Sequence, residues 1–176
     1  MTRDGQGLEL GDADAKAVEA LDFLREEWLA FGKRFQPFME AADREERCAL
    51  LPTLAANLAL SMNSAEGRAL GEKYLARAKA LEAKASPREK AWIAATSAWI
   101  AADEDKSLEI HEKMTAEWPR DMLAAKLGQL HAFNPDTATF DPVLGLKVRP
   151  TIEKSTTFSA VRPERLIARF AGKPGF

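Results

Sequence analysis

Residues 86–121, SPREKAWIAATSAWIAADEDKSLEIHEKMTAEWPRD, decide the fold. Ser86 can accept the amide of the third helical residue, Pro87 sits at the first helical position where no amide is needed, and Glu89 can reach back to close a capping box. The helix so started carries Trp92, Ala95, Trp99 and Ala102 as a stripe at helical spacing. Many of its other positions are alanine, which permits close helix-on-helix approach. Asp103, Glu104 and Asp105 then place negative charge where a second helix begins, favourable against its positive dipole end. Leu108, His111, Met114 and Trp118 continue the stripe, and Pro119 stops it. One such hairpin cannot bury its own apolar face and needs a neighbour on each side, which is how stacked helical repeats are written.

The pattern extends in both directions. Asp121 caps a further helix with Leu123, Leu127 and Leu130 inward, fading at Phe133, Asn134 and Pro135. Upstream, the spacing of Val18, Leu21, Leu24, Trp28 and Phe31 predicts a helix from Ala13 to Phe31, capped by Asp12 or Asp14. Gly32 breaks it, and Pro37 can open a short helix through Phe38, Met39, Ala41 and Ala42. A third carries Leu51, Leu54, Ala55, Leu58 and Met62, with Pro52 either near its start or at a kink. After Asn63 and Ser64, a fourth spans Ala65 to Ala83 with Ala69, Leu70, Tyr74, Ala78 and Leu81 on one side. No strand is expected before Asn134.

Three segments follow. Residues 1–12 read as a flexible leader, because the glycines of GQGLELG (5–11) have the wrong spacing for a phosphate loop and no apolar strand precedes them. Residues 13–134 form the helical domain. Residues 135–176 form an irregular, proline-punctuated tail, helical in pattern only at Pro163 to Phe170, with enough apolar groups to pack on the domain or on a second copy. The whole chain carries a net charge of -2. From Asp141 onward, seven Lys or Arg stand against three acids, so a basic tail (+4) follows an acidic body (-6). The asymmetry reads as intramolecular charge complementarity, since the dense basic clusters and interleaved aromatics of a nucleic-acid surface are missing. No run approaches the roughly 20 apolar residues of a membrane span. Cys48 is the single thiol, which suits a reducing compartment and makes the cytoplasm the default.

With the hairpin read, SPREKAWIAATSAWIAAD, EDKSLEIHEKMTAEWPRD and MLAAKLGQL are similar to the tetratricopeptide repeat, and more closely to the family of tetratricopeptide repeat protein 38 homologues. Ser86 to Glu89, Ala91 to Trp99 and Pro119 to Asp121 match that family's hairpin start, alanine- and tryptophan-rich first helix, and closing Pro-Arg-Asp step. The region from about Ala17 to Ala83 resembles its N-terminal helices more loosely. The family is normally much longer, and the tail from Pro135 does not resemble its continuation. The resemblance implies a right-handed array of antiparallel helical hairpins, protein binding and no catalytic residues.

The residues themselves point to no chemistry. His111 and His131 lack a carboxylate three residues earlier, where a helical metal site would want one. The acidic turn at Asp103 has Leu108 and Met114 where a calcium loop needs glycine and glutamate. Cys48 lies near Arg44 and Arg47 but has no histidine close in sequence. The tryptophans fall on apolar stripes and read as core. The expectation is a non-enzymatic scaffold, without cofactor or metal, binding a protein or peptide through the first helices of its hairpins at exposed residues such as Lys90, Thr96 and Ser97. The alternatives are a self-associating module, a homo-oligomer capped by its tail, or a truncated relative of a longer repeat protein.

Overall fold

Capping chemistry sets most of the helix starts. The computed structural model describes residues 2–132, 139–141 and 146–148. Among these, the α-helices are α1 (Ala15–Leu29), α2 (Gln36–Arg44), α3 (Leu50–Leu60), α4 (Ala65–Leu81, continued by a 3-10 turn at Glu82–Lys84), α5 (Pro87–Ile100), α6 (Glu104–Glu117) and α7 (Met122–Ala132). The described chain is therefore all-α in class. Asp14 caps α1 through Ala17 N, Ser64 caps α4 through Gly67 N, and Asp103 caps α6 through Lys106 N. Ser86 and Glu89 form the full capping box of α5, and Asp121 accepts from Ala124 N at 3.2 Å to start α7. Pro37 and Pro52 both fall in first turns, where a missing N–H leaves no broken bond.

Neighbours in sequence pack as neighbours in space: α1 on α2, α3 on α4, α5 on α6, with α2 on α3, α4 on α5, and α3 touching both α1 and α5. α3 sits at the centre. Leu50 to Asn57 and Ala59 are all buried, so this helix is solvent-free nearly all round, as its almost wholly apolar sequence requires. α4 lies against it at close range because Gly67 and Gly71 carry no side chain. A Cβ at Gly67 would collide with the Ala59 carbonyl oxygen, and one at Gly71 would stand 3.0 Å from Leu60 Cδ2. Apolar identity misplaces five residues of the expected stripes: Phe31, Met62 and Leu130 are 83%, 63% and 44% exposed, and Ala69 and Ala102 also face solvent. Each lies at a helix end or on a face that the glycines and larger neighbours leave outward.

Two of the inter-helix turns are built alike. After α1, Phe31 N donates to Trp28 O (3.3 Å) and Gly32 N to Glu27 O (2.7 Å). After α5, Ala102 N donates to Trp99 O and Asp103 N to Ala98 O, both at 2.9 Å. This paired bonding is the Schellman motif, and its left-handed residue is Phe31 (φ 56°) in one turn and Ala102 (φ 58°) in the other. An L residue costs about 1–2 kcal/mol there, which glycine avoids. Ala102→Gly should therefore raise stability by about 0.5–1 kcal/mol, read as a higher urea midpoint; a lower midpoint would refute the strained turn.

The first residues correct the expected leader and the expected absence of early strands. β1 (Thr2–Arg3) pairs antiparallel with β2 (Glu9–Leu10), Thr2 opposite Leu10 and Arg3 opposite Glu9. Leu10 is fully buried in the main core and Leu8 nearly so. Asp4 closes the hairpin by accepting from Gln6 N and Leu8 N, each at 2.9 Å. The chain divides into compact units Met1–His131 and Ala132–Phe176. In the second, β3 (Thr139–Asp141) pairs antiparallel with β4 (Leu146–Val148), Thr139 opposite Val148. The remaining expectations for the tail, including the helical pattern at 163–170, lie outside the described residues.

Candidate interaction surface

Of the three residues expected as partner contacts, the structure leaves Lys90 exposed, Ser97 half-buried and Thr96 buried. Thr96 is corrected: it is 1% exposed, its hydroxyl donates to Trp92 O (2.9 Å) and accepts from Asn57 Nδ2 (2.8 Å), and it joins α5 to α3. Lys90, Ala94, Ser97 and Ala101 follow one another at helical spacing and form the outward side of α5. That face is small-sided and carries one charge.

Behind it, the N-terminal hairpin is stitched to the starts of α5 and α7. Arg88 is 4% exposed and donates through Nη1 to Asp4 and through Nε to Asp121, both at 2.7 Å. Asp121 also accepts from the Trp92 indole N–H (2.9 Å). Next to this cluster, the buried Glu89 carboxylate accepts from Ser86 N and Gly11 N, each at 2.7 Å. Gln6 donates to the Arg120 carbonyl, and Asp12 accepts from Arg47 Nε at 3.0 Å. A cleft of about 400 Å³ opens at this seam, lined in part by Arg3, Leu8, Arg88, Trp118 and Arg120. Ser86, the hydroxyl on its wall, is engaged with Glu89 N and Glu9 O and is no free nucleophile.

The two histidines meet, although 20 residues separate them in sequence. Their rings stack at 5.5 Å, with Trp92 edge-on to His111 (5.2 Å) and Trp99 edge-on to His131 (4.7 Å). This four-ring ladder ties α5, α6 and α7 together. Ser107 Oγ spends its proton on Ala95 O (3.1 Å), so His131 Nε2, 3.0 Å away, must be the donor in their bond. A serine beside a histidine suggests a nucleophile and its base, but Ser107 and His131 are 0% and 1% exposed and the hydroxyl is committed. Trp92 is fully buried, whereas Trp28, Trp99 and Trp118 are half-buried against the core.

His111 has neither ring nitrogen hydrogen-bonded and is 0% exposed. Burial, and secondarily the charge of His131, push its pKa down from 6.5 to about 3. The neutral ring is thus the folded form, and its stability is fully present above pH 6.5. It is lost as pH falls toward 3, at up to about 1.4 kcal/mol per pH unit. His111→Leu should flatten this acid limb and be neutral or stabilising at pH 7, because it removes two unsatisfied nitrogens. Urea midpoints taken at neutral pH and at about pH 4.5 check both effects, and an unchanged acid limb would exclude His111 as its source.

Cys48 is buried, and burial followed by the nearby Glu89 carboxylate pushes its thiol up. Arg44 and Arg47 turn to Glu40 and Asp12 instead. No group of three or more metal-ligating side chains occurs among the described residues, and among them no helix is long and apolar enough to cross a membrane.

The most exposed large apolar side chain described is Phe31, at 83%. Its turn is pinned from below: Glu27 accepts from Arg34 N (3.1 Å) and Arg34 Nε (3.0 Å), and these bonds hold its carboxyl below the usual range. A Cβ at Gly32 would strike the Glu27 carboxylate, so glycine is needed there while the bulkier Phe31 takes the left-handed position. The Lys126 ammonium, from α7, stands 3.7 Å from the centre of the Phe31 ring. Helical periodicity carries Phe31 into the α1 stripe and misses this. The adjacent Gly32 was the available signal of a turn.

No family model matches this chain, and no curated protein or solved structure matches it either.

Proposed function

We propose that the protein is a non-catalytic helical-repeat scaffold of the tetratricopeptide kind, which holds a peptide segment of a partner protein against the outward faces of its first helices, α1, α5 and α7. The observation that carries this reading is the recurrence of one turn: α1–α2 and α5–α6 close through the same hydrogen bonds and the same left-handed residue. Packing of each of α1 to α5 on the helix that follows it, and of α3 on both α1 and α5, is in keeping with stacked hairpins. A buried single thiol fits a reducing compartment such as the cytoplasm.

Affinity purification of the full chain from its native cell, compared with Lys90→Glu combined with Ser97→Arg, tests it. Both sites reach the surface, so the variant should keep its helicity and lose specific partners. Absence of any co-purifying protein would end the scaffold reading, and retention of every partner would exclude the α5 face. Self-association is the second reading, supported by Met122 and Leu130, 47% and 44% exposed on α7. Light scattering decides it: a dimer dispersed by Leu130→Glu supports it, and a monomer at all concentrations removes it.

A further inference from the structure

Phe31 occupies a backbone conformation that glycine would occupy without strain, while exposing its ring to solvent. Stability alone does not account for a large aromatic at such a position. The surroundings give the surface a sign. Lys126 lies over the ring and Lys33 is exposed two residues away, and neither lysine has a carboxylate partner among the described residues. The nearest acid in the turn, Glu27, is buried and already neutralised by Arg34.

We propose that Phe31, Lys33 and Lys126 form a docking surface for an acidic peptide segment bearing an apolar side chain. The ring supplies the apolar anchor, and the two ammonium groups pair with carboxylates on either side of it. A rigid aromatic on a pinned turn loses little freedom on binding, which is the property of an interface hot spot. The sign of the two ammonium groups selects an acidic occupant over a basic one. The inference rests on the scaffold reading and names the chemistry of its partner.

A random peptide library displayed against the full chain, with counter-selection on Phe31→Gly and on Lys126→Ser, tests it. Phe31→Gly relieves the turn and should fold at least as well as the parent, so lost binding cannot be ascribed to unfolding. Selected peptides should be rich in Asp and Glu beside Leu, Ile or Phe, and weaken at least about tenfold on Phe31→Gly. They should also weaken when salt is raised to about 0.5 M. Binders without acidic bias, or binders indifferent to Phe31→Gly, overturn the docking surface while leaving the scaffold reading in place. A parent chain that selects no peptide overturns both. A dimer abolished by Phe31→Gly would overturn it in favour of a second copy as occupant.

Discussion

A chain lacking residues 1–11 should lose about 5 kcal/mol or more of stability, enough to unfold a domain of ordinary stability at room temperature. Burial of Leu8 and Leu10 accounts for about 1.5–3 kcal/mol each. The deletion also strips Arg88 of Asp4 and Glu89 of the Gly11 amide. Urea unfolding followed by tryptophan fluorescence and circular dichroism measures the loss. A truncated chain with an unchanged midpoint would mean that the hairpin is an appendage and not part of the core.

Arg88→Ala should cost about 3–5 kcal/mol, since it leaves the Asp4 and Asp121 carboxylates buried without their cation. The bridge itself adds little relative to apolar packing; the cost comes from breaking it on one side. The two losses should not add. Deletion of residues 1–11 has already removed Asp4, so Arg88→Ala in the truncated chain leaves one unpaired carboxylate in place of two and costs less than in the intact chain. Full additivity would show that Asp4 and Arg88 are not coupled.

These effects centre on contacts that sequence periodicity could not supply. Ser86 with Glu89, Asp14 and Asp121 were legible as caps because each acts on an amide three residues away. Asp4 and Arg88 lie 84 residues apart, and strands of two residues have no period to detect. Polarity misled at Thr96, which is hidden because Asn57 satisfies it, and apolarity misled at Met62 and Leu130. Of the candidate surface, Lys90 and Ser97 were readable from the helical wheel. Phe31 was not, since its left-handed backbone is a property of the turn and departs from the helical spacing of α1.

The solvent-free setting of α3 bears on how the molecule comes apart. In an open linear array, one hairpin can fray while its neighbours hold. Here no hairpin can leave without wetting α3, so its amides should trade hydrogen for deuterium only when the entire helical unit lets go, making this segment the slowest clock in the protein.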